Sequence, residues 1–163
     1  MSLEEEVHRL KAKAAAERGR VAQAQGDLEA ASYFYAHSLE WADTPEARVG
    51  QAQALSYEGK LDQAMAECKK AIALDPEQGQ AYNDIGVYLM QRNQPDQAIP
   101  WLEKAKIAPR YEPRQFPYIN LGHIYAERGE LFKAISEFEG ALRQAPEDER
   151  IRRHLEELKS RLN

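Results

Sequence analysis

The chain has 163 residues, of which 43% are hydrophobic and 30% charged, with a formal net charge of −5. That balance suits a folded chain and argues against a nucleic-acid partner, because phosphate binding needs a basic patch. No run approaches 18 apolar residues, so no membrane span is expected, and a single cysteine, Cys68, permits no internal disulfide.

The first twenty residues are acidic and then mixed in charge, without the basic-then-apolar order of a signal peptide. The expectation is a cytoplasmic protein, or a periplasmic one if an N-terminal leader is removed. Hydrophobic spacing predicts helices over about 3–24 and 27–40, with Gly26 in the turn between them. Thr44-Pro45-Glu46 reads as a cap, a first-turn proline and an acid near a helix N-terminus, opening a third helix over 45–58. Gly59 divides it from a fourth over 61–74, where Cys68 reads as a small buried hydrophobe. Asp75-Pro76-Glu77 repeats the start signal before a fifth helix over 78–91. Asn93 follows in the place that glycine holds elsewhere, since both accept a left-handed backbone. The sixth helix, 95–108, contains Pro100, which removes one hydrogen bond and is expected to kink it near Asp96. The stretch IAPRYEPRQFPY, residues 107–118, reads as a lengthened turn rather than a linker. Helices over 115–128 and 131–144 follow, and a ninth over about 147–161 places Ile151, Leu155, Leu158 and Leu162 on one face.

These elements repeat. A small residue falls at Ala31, Ala64, Ala98 and Ala134, with spacings of 33, 34 and 36. Gly19, Ala52, Gly86 and Gly122 fall at the same three spacings. The last repeat reads Tyr118-x2-Leu121-Gly122-x2-Tyr125, then Gly129, Ala134, Phe138, Ala141 and Pro146. This resembles the tetratricopeptide repeat (TPR), whose pattern is W-x2-L-G-x2-Y…A-x3-F…P with a 34-residue period. Repeats three and two keep most of the pattern, although Arg48 and Gln51 stand in apolar columns of repeat two. Repeat one is weakest, with Arg18 in an apolar column; Arg18, Arg48 and Gln51 together predict that repeats one and two pack less tightly, leaving an end for a partner to complete.

The resemblance implies an all-α fold, a right-handed superhelical α-solenoid of antiparallel helix pairs with about nine helices. It implies one domain over 1–163, with repeats over about 12–44, 45–78, 79–114 and 115–148. The helix over about 147–161 would cap the open end, its other face being charged. It also implies a concave groove lined by the first helix of each repeat. Repeat one contributes Lys13, Glu17 and Arg20 to that groove, and repeat two Val49, Gln53, Ser56 and Tyr57. Repeat three contributes Gln80, Asn83, Asp84, Val87 and Met90. Repeat four contributes Phe116, Ile119, Asn120, His123 and Glu127. The partner-binding set expected from these is Gln80, Asn83, Val87, Met90, Phe116, Ile119, Asn120 and His123. Asn83 and Asn120 offer a donor and an acceptor each to a peptide backbone, and Met90, Phe116 and Ile119 offer apolar contact.

The lysine-asparagine-arginine clamp by which some TPR proteins hold chaperone C-termini is not expected. Its places hold no lysine pair, and Asp84 would repel a carboxylate. His8, His37, His123 and His154 lie at no metal-ligand spacing, and no glycine-rich phosphate loop is present, so no enzyme activity, metal or cofactor is expected. The leading expectation is a non-catalytic module that binds a peptide or partner protein. The alternative is a pilotin-like component of an envelope assembly such as a type IV pilus. TPR pilotins also lengthen a repeat junction with a Y-x-P-like segment, as in Tyr111-Glu112-Pro113, ahead of a helix containing an asparagine, here Asn120. A homo-oligomer through repeat one is a further alternative.

Overall fold

The computed structural model describes residues 1–162, and those residues form nine helices. They are α1 (Leu3–Ala24), α2 (Leu28–Trp41), α3 (Pro45–Tyr57), α4 (Leu61–Leu74), α5 (Gln80–Gln91), α6 (Pro95–Ile107), α7 (Gln115–Glu127), α8 (Leu131–Gln144) and α9 (Glu149–Ser160). Side-chain caps set several starts: a Ser2–Glu5 capping box for α1, Asp27 for α2, Thr44 for α3 and Asp148 for α9. Asn93 takes φ 58° in the turn between α5 and α6, the left-handed region that Gly26, Gly59 and Gly129 occupy in the other three pairs. α6 runs unbroken from Pro95 to Ile107 with Pro100 inside it. Leu162 lies beyond α9 and is exposed, so it does not extend the apolar face expected of that helix.

The chain divides into two compact units, Met1–Glu77 and a second beginning at Gln78. The division falls at the junction of repeats two and three. In the first unit α1 packs on α2, α2 on α3 and α3 on α4. In the second, α5 to α8 pack likewise in sequence and α9 closes on α8.

Close approach within a pair follows from the small-residue columns. Ala31, Ala64, Ala98 and Ala134 are all buried. A Cβ placed on Gly86 would stand 2.5 Å from Cδ2 of Leu102, and one on Gly122 2.6 Å from Cε2 of Phe138. In repeats one, three and four a large residue of the second helix, Tyr35, Leu102 or Phe138, thus seats on a glycine of the first, as interdigitated packing requires. The cap buries Ile151, Leu155 and Leu158 of α9 against Ala134, Phe138 and Ala141 of α8.

Repeats one and two are not loose at Arg48. Its guanidinium meets Asp43 at 2.7 Å and Glu67 of α4 at 2.7 Å, so a charged residue in an apolar column is held by two carboxylates. Burial opposes ionisation of Glu67, but the bonds from Lys70 and Arg48 hold its carboxyl below the usual range. Gln51 keeps a buried side-chain oxygen without a partner. Trp41, the tryptophan of the first unit, lies beside His8 and His37 with Lys11 over its ring, whereas Trp101 of the second lies against Tyr82 and Lys104.

Candidate functional site

The first helices of the second unit, α5 and α7, lie beside each other. Asn120 of α7 donates through Nδ2 to Oδ1 of Asn83 on α5 at 3.0 Å. Asn83 is 5% exposed, so this bond satisfies an acceptor that water does not reach. Asn120 is half-buried and keeps a second N–H and its carbonyl oxygen. Phe116, one turn earlier on α7, is 42% exposed. One turn before Asn83, the half-buried Gln80 donates through Nε2 to Oδ1 of buried Asp84 at 2.7 Å.

The first unit carries a matching feature. Gln23 of α1 donates to Gln53 of α3 at 2.9 Å and accepts from the Tyr35 hydroxyl at 2.8 Å. Amide pairs therefore join the two first helices in both units. The groove columns implied Gln53 but not Gln23, which stands at the C-terminal end of α1.

Two of the expected groove residues, both half-buried, also make contacts toward α9. Ile119 packs on the cluster that α8 and α9 form. The His123 ring meets Phe138 edge-on at 5.3 Å and His154 of α9 at 5.5 Å. Burial and the nearby His154 hold the His123 imidazole below its ordinary pKa. The structure thus brings two histidines together that sequence spacing kept apart. Among the described residues, no group of three or more His, Cys, Asp or Glu is placed to hold a metal. Val87 and Met90 are half-buried on α5, and Val49 of the first unit is buried.

The junction after α6 forms a second feature. Gly79 N–H donates to the Arg110 carbonyl at 2.8 Å, and Gln78 and Arg110 form a short parallel bridge. Tyr111 is buried and seats on Gly79, where an added Cβ would stand 2.6 Å from the Tyr111 Cβ. Arg114 donates to the Ala108 and Pro109 carbonyls at 3.2 and 2.7 Å, stapling the turn. Gln78, Gln80, Pro109, Arg110, Tyr111, Glu112 and Arg114 line an adjoining hollow of about 400 Å³. The Tyr111 hydroxyl is buried without a hydrogen-bond partner, and burial, with the charge of Asp84, pushes the phenol well above its ordinary pKa. It is therefore a neutral hydroxyl at physiological pH. The sequence reads this stretch only as a lengthened turn and assigns no role to Arg110, Tyr111 or Arg114. Tyr111 and Arg114 hold the turn together, and Arg110 and Phe116 are exposed.

Tandem antiparallel helix pairs, with a small-residue column in each helix and a polar helix closing the end, define a helical-repeat protein of the kind that presents a groove for other proteins. Tetratricopeptide repeat models match residues 6–32, 49–113 and 117–148. The chain belongs to the tetratricopeptide repeat family. Among solved structures it is similar to PilF of Pseudomonas aeruginosa, at 21% identity and TM-score 0.87 over 94% of this chain and 70% of that one. It is similar to PilW, described as a widely conserved type IV pilus biogenesis factor, at 19% identity and TM-score 0.79 over 91% of this chain and 69% of that one. It is also similar to YrrB, described as a TPR protein with an unusual peptide-binding site, at 25% identity and TM-score 0.58 over 78% of this chain and 66% of that one. A comparison with curated proteins finds no match to the sequence.

Proposed function

We propose that the chain is a non-catalytic interaction module whose second unit holds an extended peptide segment along the face of α5 and α7. The observation that carries this is the Asn83–Asn120 amide pair with exposed Phe116 one turn away. The free N–H and carbonyl of Asn120 suit the backbone of an extended chain, and Phe116 suits an apolar side chain of it. Gln80, Val87 and Met90 extend that face, whereas Ile119 and His123 support it from behind by packing toward α9. YrrB, a structural relative described as peptide-binding, favours the same reading. The test is selection from a random peptide library, followed by titration of the best binder. Phe116→Ala and Asn120→Ala are expected to weaken it tenfold or more with helicity unchanged. Undiminished affinity in both variants rejects the groove.

A second reading, a pilotin-like part of an envelope assembly, is favoured by likeness to PilF and PilW over more than nine-tenths of this chain. Deleting the gene should then reduce surface pili, and unchanged piliation counts against it. Among the described residues no helix is long and apolar enough to cross a membrane.

A further inference from the structure

The two groups of side chains on α1 do different work. Ala12, Ala15, Gly19 and Ala22 are buried against the rest of the first unit. On the far side Leu3 is 79%, Val7 39% and Leu10 61% exposed. Leu3, Val7, Leu10 and Ala14 follow one another at steps of four, three and four, the spacing of a two-helix seam. Glu17 takes the next place and interrupts the apolar run ahead of exposed Val21, its carboxylate turned to Arg20 at 2.5 Å on the surface. Glu4 and Glu6 flank the seam at its start, and Lys11 and Lys13 flank it one heptad later, all four exposed.

We propose that α1 pairs antiparallel with α1 of a second copy of this chain, Val7 against Leu10 and Leu3 against Ala14. Charge chooses the direction. In the antiparallel register Glu4 faces Lys11 of the other copy and Glu6 faces Lys13, so all four flanking pairs are opposite in sign. A parallel pair would set Glu6 against Lys11 but Lys13 against Arg18, cancelling the gain. Lys11 already lies over the Trp41 ring at 4.0 Å, on the flank where Glu4 of the second copy would arrive. The overlap covers residues 3–14, about 18 Å of helix at 1.5 Å per residue, so the contact is small and the dimer depends on concentration. This inference is independent of the groove in the second unit.

Light scattering on the full chain across a wide concentration range is expected to show a rising dimer fraction. Val7→Glu with Leu10→Glu should leave a helical monomer, since both side chains are already exposed. Glu4→Lys with Glu6→Lys, and separately Lys11→Glu with Lys13→Glu, should each be monomeric alone and dimeric when mixed. For direction, an equal mixture of Val7→Cys and Leu10→Cys chains should form disulfide-linked dimers several-fold faster than either alone. Cys68 is buried and does not compete. A monomer at every concentration, or a dimer indifferent to Val7→Glu with Leu10→Glu, overturns the proposal. Faster linkage of Val7→Cys to itself overturns the antiparallel arrangement.

Discussion

At the scale of single residues, the fold rests on sites where a large side chain sits on a missing Cβ. Gly86→Ala places a methyl 2.5 Å from Leu102, whose branched end is fully buried. Overpacking of this kind costs about 1–3 kcal/mol, so the urea midpoint should fall while the slope of the transition is unchanged. Tyr111 is the converse case, because its hydroxyl is buried and unpaired. Tyr111→Phe removes a desolvated polar atom without opening a cavity and should stabilise the chain by about 1 kcal/mol in the same assay. These packing columns were legible in the sequence because one residue type at a fixed period suffices to define them. Tyr111 was not. Its burial depends on Gly79, more than thirty positions away, and no local pattern announces that contact.

At the scale of elements, the helix bounds follow from local signals: caps, first-turn prolines and left-handed turns act within a few residues. Which face of a helix meets solvent is a different matter. The implied groove columns did not announce that Ile119 packs on the α8–α9 cluster or that His123 meets His154 of α9. The docking of α9 should also respond to pH. His123 has its pKa lowered in the fold, so the unfolded chain binds a proton more readily. The native state keeps full stability above the ordinary imidazole pKa of about 6.5, loses it as pH falls through that value, and levels off below the lowered folded one. Thermal melts between pH 7.5 and 5.5, read through circular dichroism, should show this decline, and His123→Gln should flatten it. An unchanged slope in the variant would place the loss elsewhere.

At the scale of the whole molecule, repeat architecture makes stability close to a sum of local contributions. Gly50 in the first unit lies against Tyr35, and Gly122 in the second against Phe138, so the two sites share no partner. Gly50→Ala and Gly122→Ala, each destabilising, should therefore combine additively within about 0.5 kcal/mol in denaturant titrations. A larger discrepancy would mean that strain passes through the chain. Family and fold class were legible at this scale because the repeat recurs four times, so a weak copy such as the first is read by its neighbours. The groove was legible only as columns. The amide pairs, Gln23–Gln53 in the first unit and Asn83–Asn120 in the second, join residues thirty and thirty-seven positions apart.

The placement of the two tryptophans gives the protein a pair of built-in lamps. Trp41 belongs to the first unit and Trp101 to the second, and the chain has no other. Trp41 sits among imidazoles and an ammonium group, and Trp101 beside a phenol ring and an ammonium group. Their emission should differ in colour and in sensitivity to quenchers. Replacing one indole by phenylalanine leaves the other to report on its own half, so the proposed peptide capture by α5 and α7 and the proposed self-pairing through α1 would give two separate optical signals in one unlabelled sample.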